Sequence, residues 1–228
     1  MTNFGGDPPR VRQPIFLAPS VVTAVAGVLI AIHAFRLLLP VAWDIAIFES
    51  LVFVPSMLTV APLRALVGLF GHMLLHANLL HLFVNVIWLV ALATPLARRI
   101  GSARLILLTV LSGLWGAAAH ALWYWGTDLG IIGASGAIAG MMGAVFRFAL
   151  QPRFAPVERL PRRPLRDPRI LVAAAAWTVV NVIFGLTGFG AEDEAGIAWQ
   201  AHLGGFYFGL LAFDWFDRAS DRRWINET

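Results

Sequence analysis

Long apolar runs, interrupted by short charged clusters, extend over most of the chain. Cutting the sequence at its charged residues leaves six stretches long enough to cross a bilayer as a helix, which needs about 20 residues at 1.5 Å per residue. The pattern predicts transmembrane helices at 18–40, 79–97, 104–125, 135–150, 169–188 and 199–216. A seventh stretch, 50–63, is too short to span and is typical of a re-entrant or interfacial piece.

Composition supports a membrane protein. Of 228 residues, 59% are hydrophobic and 13% are charged, whereas soluble globular domains carry about 25% charged residues. The chain has no cysteine, which excludes a disulfide framework, a thiol nucleophile and a thiolate metal site. The first thirteen residues are polar and the apolar run behind them is too long for a signal-peptide core, so we expect no cleavable signal.

The basic residues, all arginine, predict the orientation. Fifteen of the 17 fall on one side of the six spans, and only Arg36 and Arg64 fall on the other. By the positive-inside rule both termini are cytoplasmic. The Arg- and Pro-rich link between the fourth and fifth spans is most simply a topological anchor, with contact to anionic lipid or nucleic acid as the alternative. We expect the lipid bilayer, and no nucleic acid, as a partner.

The spans predict an all-α membrane protein, a six-transmembrane-helix bundle at 18–217 between cytoplasmic tails at 1–17 and 218–228. Two outer links are exceptional. The segment 41–78 is too hydrophobic to lie in water, so we interpret it as a partly embedded loop packed against the bundle. The link 189–198 combines glycines with clustered acids and predicts a mobile segment that could serve as a gate.

Three histidines and an asparagine occur around the start of the second span, at His72, His76, His81 and Asn85. His81 and Asn85 are four residues apart and share a helical face. Polar groups in a span are costly and indicate function, with helix-to-helix hydrogen bonding as the alternative. For His72 and His76 a hydrogen-bonded loop is the favoured interpretation. A metal site would need a third ligand and usually a carboxylate, which this motif lacks, so we predict none.

The fourth span opens with the sequence IIGASGAIAGMMGA, which sets Ser135 between Gly133 and Gly136 at a helix N-terminus. A G-x-S-G string alone is weak support for a nucleophile. The alternative is a packing face of small residues, because further glycines follow at spacings that let another helix approach closely, at Gly140 and Gly143.

The sixth span offers a partner for that face. His202 is followed by Gly205 and Gly209, a G-x-x-x-G pair. Two glycine faces bring two backbones close together. Such an approach is what Ser135 and His202 would need for hydroxyl and imidazole to come within about 2.6–3.2 Å.

With these motifs in place the sequence resembles the rhomboid intramembrane serine proteases. Three motifs carry the resemblance, in order on the second, fourth and sixth spans: H-x-x-x-H-x-x-x-x-H-x-x-x-N from His72 to Asn85, G-A-S-G from Gly133 to Gly136, and A-H-x-x-G-x-x-x-G from Ala201 to Gly209. Each motif alone is common, but the combination is highly specific.

The resemblance implies a Ser135–His202 catalytic dyad that cleaves peptide bonds through an acyl-enzyme, without a cofactor. It further implies an oxyanion hole from His81, Asn85 and the Ser135 backbone amide. Supporting positions are His76, Gly133, Gly136, Gly205 and Gly209. The implied substrates are single-pass transmembrane proteins. Abundant Arg and Ala, with no Lys or Cys, indicate a GC-rich bacterial genome, so we expect a multi-pass protein of the bacterial cytoplasmic membrane.

The chemistry of the residues agrees with the implied mechanism. An oxyanion needs donors fixed in advance at low dielectric, and a helix N-terminus adds partial positive charge at Ser135. No carboxylate is available to orient His202. Asp214 is the nearest acid on its helix, but twelve residues place it about 18 Å away along the axis. A dyad is therefore favoured over a Ser-His-Asp triad.

Three positions depart from the family pattern. Many bacterial members carry a Trp-Arg pair where this chain has Val67 and Gly68, so the embedded loop is expected to be anchored differently. Ala139 replaces an aromatic residue that often stacks on the catalytic histidine, so support for His202 must come from elsewhere or be weaker. Ala97, before Gly101, replaces a common glutamate of the cytoplasmic cap.

Two other classes stay open at this point. One is an inactive rhomboid-like protein that binds membrane clients, which the presence of both Ser135 and His202 disfavours. The other is a small transporter whose histidines relay protons. It would be favoured by acids deep inside the spans or by a repeat of broken helices. The one acid in the predicted spans, Asp214, lies near the cytoplasmic end of its helix, and no such repeat is evident.

Overall fold

The computed structural model describes residues 18–150, 156–188 and 198–217. These residues form nine α-helices: α1 Ser20–Leu37, α2 Val41–Leu51, α3 Met57–Val60, α4 Pro62–Gly71, α5 Leu79–Ile100, α6 Ser102–Trp123, α7 Ser135–Ala149, α8 Pro168–Thr187 and α9 Trp199–Phe216. Short 3₁₀ turns lie at His72–Leu74 and Val157–Arg159. The predicted tails, and the predicted gate at 189–198 except for Ala198, lie outside the described residues.

Each of the six predicted spans coincides with a long helix whose ends lie within about three residues of the prediction, because the apolar runs end at charged or helix-breaking residues. Among the described residues, four helices are long and apolar enough to cross a membrane: α1, α5, α6 and α8. The helix α7, with 15 residues, is shorter. The all-helical membrane architecture is therefore observed, while the count of six spans stays a prediction.

The outer segment 41–78 is more regular than the sequence indicated. It folds into α2, α3 and α4 rather than an irregular loop. Prolines divide it, since Pro40 precedes α2 and Pro62 is the first residue of α4, where the missing N–H costs no helical hydrogen bond. Cutting at charges hid α2, because Asp44 and Glu49 lie inside that helix.

Close contact with the end of α2 anchors α4, in place of the absent Trp-Arg pair. A Cβ at Gly68 would overlap the carbonyl oxygen of Val52, so only glycine allows this approach. The guanidinium of Arg64 donates to the backbone oxygen of Glu49 at 2.9 and 3.2 Å. The loop is thus held by backbone proximity and by one arginine.

The core of the bundle is the contact between α7 and its neighbours α6 and α9. Every residue of α7 from 136 to 145 is buried. A Cβ at Gly205 would overlap the backbone oxygen of Gly136, and a Cβ at Gly209 would overlap that of Gly140. The glycines of α7 and α9 therefore set the distance between the two backbones, as in other small-residue helix interfaces.

Ion pairs made by two buried arginines, Arg99 and Arg147, close the end of the bundle opposite Ser135. Arg99, at the end of α5, is bidentate to Asp217 at 2.8 and 3.0 Å, and both side chains are 1% exposed. Arg147 pairs with Asp214 at 2.7 Å, and Arg162 lies 3.3 Å from the same carboxylate. Because Asp214 is engaged here, it is not the carboxylate partner of His202. Arg99 also donates to two backbone oxygens of the α7–α8 link, those of Val157 and Leu160, at 2.8 Å each.

Candidate active site

Ser135 lies at the first turn of α7, at the end of a loop that the outer segment holds in place. The preceding Gly133 has φ +108°, a conformation that favours glycine, and its N–H donates to the backbone oxygen of His72 at 2.8 Å. An antiparallel bridge joins Phe53 to Ile131 through hydrogen bonds of 2.9 and 3.2 Å. The α2–α4 segment thus fixes the backbone on which Ser135 sits.

The structure brings Ser135 and His202 together. The His202 Nε2 lies 2.8 Å from the Ser135 Oγ, within reach of a proton transfer between them. The approach depends on glycine, because a Cβ at Gly136 would lie 3.3 Å from the backbone oxygen of Ala201, and one at Gly116 would lie 2.7 Å from it. Ser135 and His202 are both half-buried.

A residue that the sequence interpretation missed completes the arrangement. The Nδ1 of His202 lies 3.0 Å from the side-chain oxygen of Asn181, which projects from α8 and is 6% exposed. This hydrogen bond supports His202, in a chain that has Ala139 in place of a stacking aromatic residue. One signal was available: an amide inside an apolar span is costly and marks a function or a polar contact.

His81 and Asn85 lie on α5, facing the same region. The backbone N–H of Ala77 donates to His81 Nδ1 at 3.4 Å, so the ring hydrogen is on Nε2. That nitrogen is directed towards the Ser135 loop, since a Cβ built on Gly133 would lie 2.8 Å from it. The Asn85 amide nitrogen donates to the His81 backbone oxygen at 2.9 Å and has a second N–H to offer. Both side chains can therefore act as donors.

The other two histidines of the motif, His72 and His76, lie behind this site. The ring of His76 is 1% exposed and stands edge-on to His81, with ring centroids 5.2 Å apart and planes at 73°. The Nδ1 of His72 donates to the Gly68 backbone oxygen at 3.1 Å. Burial lowers the pKa of His72 to about 4, so this ring is neutral at pH 7. These contacts are those of a packed, hydrogen-bonded support.

In the described parts of the chain, no three metal-ligating side chains of the His, Asp or Glu type converge.

Comparison with known proteins agrees with the geometry. The sequence model described as Rhomboid domain matches residues 63–216. The chain is similar to the Rhomboid protease GlpG of Yersinia enterocolitica, with 32% identity over 150 residues, covering 66% of this chain and 48% of the relative. It is 30% identical over 152 residues to the protein of the same name from Yersinia pestis, covering 67% and 49%. The chain spans about half the length of these relatives. By its domain match and its motifs, this integral membrane protein belongs to the rhomboid family.

Proposed function

We propose that the protein is an intramembrane serine endopeptidase that cleaves single-pass transmembrane proteins. The observation that carries the proposal is the 2.8 Å contact between His202 Nε2 and Ser135 Oγ at the N-terminus of a buried helix. Family membership and the GlpG relatives support it. The arginine distribution supports six spans with both termini in the cytoplasm. The bacterial source of the GlpG relatives supports a bacterial cytoplasmic membrane.

In the proposed reaction His202 accepts the Ser135 proton through Nε2, and the serine oxygen attacks the scissile carbonyl. The resulting oxyanion receives hydrogen bonds from His81 Nε2–H, the Asn85 amide and the Ser135 backbone N–H. His202 then gives the proton to the leaving amine, which leaves an acyl-enzyme at Ser135. Water, activated by the same imidazole, hydrolyses that ester and restores the hydroxyl.

The test is cleavage of a model transmembrane substrate by purified protein. We expect Ser135→Ala and His202→Ala each to abolish cleavage and fluorophosphonate labelling, and the double variant to be no worse, since the pair acts as a unit. Ser112→Ala is a matched control, because it removes another buried hydroxyl, one that contacts Gly140 of α7. Near wild-type cleavage by Ser135→Ala would overturn the proposal.

A further inference from the structure

The helix that supplies Asn181 is loosely packed. Only three of the twenty residues of α8 are buried, namely Ile170, Ala174 and Asn181, and most of its apolar side chains face outward. Its contacts with α9 form one strip. Along that strip Thr178 Oγ1 lies 2.7 Å from the Tyr207 hydroxyl, and the Trp199 ring lies directly against Gly185. Asn181 lies between these two contacts, so its position follows that of α8.

Hydrogen bonding fixes which end of the Asn181 amide meets the histidine. The amide nitrogen donates to the backbone oxygen of Trp177 at 2.9 Å. In the reverse orientation two oxygens would face each other there, which leaves Oδ1 as the atom directed at His202. An amide oxygen only accepts hydrogen bonds. The hydrogen of the neutral imidazole must therefore lie on Nδ1, and the Nε2 lone pair faces Ser135.

We propose that Asn181 is a positioning residue that holds His202 in the tautomer with its hydrogen on Nδ1 and its lone pair on Nε2. Because Asn181 lies on α8, this tautomer depends on the docking of α8 on α9. The inference rests on the proposed function, since it assigns the side chain behind the proposed base. Asn181 does not touch the reacting atoms. Its amide oxygen fixes the ring plane and keeps the Nε2 lone pair towards Ser135, the role that an acid has in a Ser-His-Asp triad, but without a negative charge.

The coupling follows from where Asn181 is located. If α8 moves away from α9, the amide leaves His202 and the buried Nδ1–H loses its acceptor. The imidazole is then free to change tautomer or rotate, and the serine is no longer activated. A docked α8 is therefore required for nucleophile activation, whereas the distance between the α7 and α9 backbones is set independently by glycines.

Two substitutions by side chains of similar shape distinguish the effect of the hydrogen bond from the effect of packing. Asn181→Leu removes the acceptor, while Asn181→Asp keeps an oxygen at the same place. We expect Asn181→Leu to slow fluorophosphonate labelling and to lower kcat by about 10- to 100-fold, with little change in KM. Asn181→Asp should restore labelling to within about tenfold of wild type. Thr178→Val is the control, since it removes the other α8–α9 hydrogen bond one turn away without touching His202, and should stay within about threefold of wild type.

A spectroscopic measurement makes the assignment independent of turnover. In protein labelled with ¹⁵N-histidine, the His202 resonances, identified by their loss in His202→Ala, should report a hydrogen on Nδ1. In Asn181→Leu they should shift towards the other tautomer or a mixture.

The outcomes separate the inference from the function on which it rests. If wild-type protein neither labels nor cleaves while folded, the proposed function fails. If wild type is active and Asn181→Leu labels at the same rate with the tautomer unchanged, the function stands and the positioning role is wrong. Equal loss in Asn181→Leu and Thr178→Val, with the His202 tautomer unchanged in both, would also overturn it, because that result points to packing of α8 alone.

Discussion

Helix α9 packs against two neighbours in opposite ways. Towards α7 the contact is made by backbone atoms, with Gly205 and Gly209 lying directly against backbone oxygens of α7. Towards α8 it is made by side chains, through a hydroxyl pair, an amide–imidazole hydrogen bond and the ring of Trp199. The first contact cannot change without moving a helix backbone, while the second can be broken by side-chain rotation or a small displacement.

The two contacts determine different properties of the site, namely the distance between Ser135 and His202 and the orientation of the imidazole. The distance between Ser135 and His202 must be correct within a few tenths of an ångström, and it is determined by rigid helix contact. The orientation of the imidazole is determined by the looser helix. A loosely packed element near a site is where local opening costs least free energy. In the proposed enzyme, the face of α9 towards α7 thus determines the distance between Ser135 and His202, and the face towards α8 determines the orientation of the imidazole.

Adding a side chain at the contact between α7 and α9 should have the largest effect on stability and activity. Gly209→Leu would drive a side chain into the Gly140 backbone, which cannot rotate away, so we expect a strongly destabilised protein with little activity. Gly27→Leu on α1 is the matched control, because nothing lies within 4 Å of a Cβ there. Thermal unfolding in detergent measures both. A Gly209→Leu protein with wild-type melting would show that the α7–α9 contact is not rigid.

Removing an oxyanion donor from α5 should affect the chemistry rather than the fold. We expect Asn85→Ala or His81→Ala to lower kcat by up to about 100-fold, with a smaller effect on KM, because an oxyanion donor acts mainly in the transition state. Steady-state cleavage of the transmembrane substrate measures both constants, with Ser112→Ala as the reference for a polar group lost from the bundle. A change in KM alone would reassign the residue to packing.

Loosening the contact between α8 and α9 should have the smallest effect on activity. Gly185→Leu places a side chain where the Trp199 ring lies, and should push the outer half of α8 away from α9. We expect fluorophosphonate labelling to slow by about tenfold or less, and the double variant with Asn181→Leu to be no slower than Asn181→Leu alone. Val179→Leu, on an outward-facing position of the same helix, is the control. Additive losses would show that Gly185 acts on the site by a route that does not include Asn181.

The sequence was most informative where local pattern decides the structure. Apolar runs determined the long helices, since a helix is the way a single segment satisfies its backbone in lipid. Motifs with fixed spacing drew attention to Ser135 and His202 before any distance was known. Both signals are local, and neither needs information about what packs against what.

Contacts between segments that are distant in the sequence could not be predicted from it. Asn181 was missed because its partner, His202, lies on another helix. A single amide in an apolar span does not reveal which residue it contacts. The arginines were interpreted as topological markers, yet Arg147 and Arg99 are buried and paired, the latter with a residue 118 positions away. Helix α2 of the outer segment was hidden because its acidic residues, Asp44 and Glu49, interrupt the apolar run.

The order of the helices also has a consequence for biosynthesis. Ser135 lies on α7, but its partner is 67 residues further on, and Asp217, which closes the opposite end of the bundle, follows α9. A nascent chain inserting its helices in sequence therefore carries an unactivated serine until α9 has entered the membrane. On this pathway the proposed protease cannot act on itself or on neighbouring nascent chains before its own synthesis has passed α9.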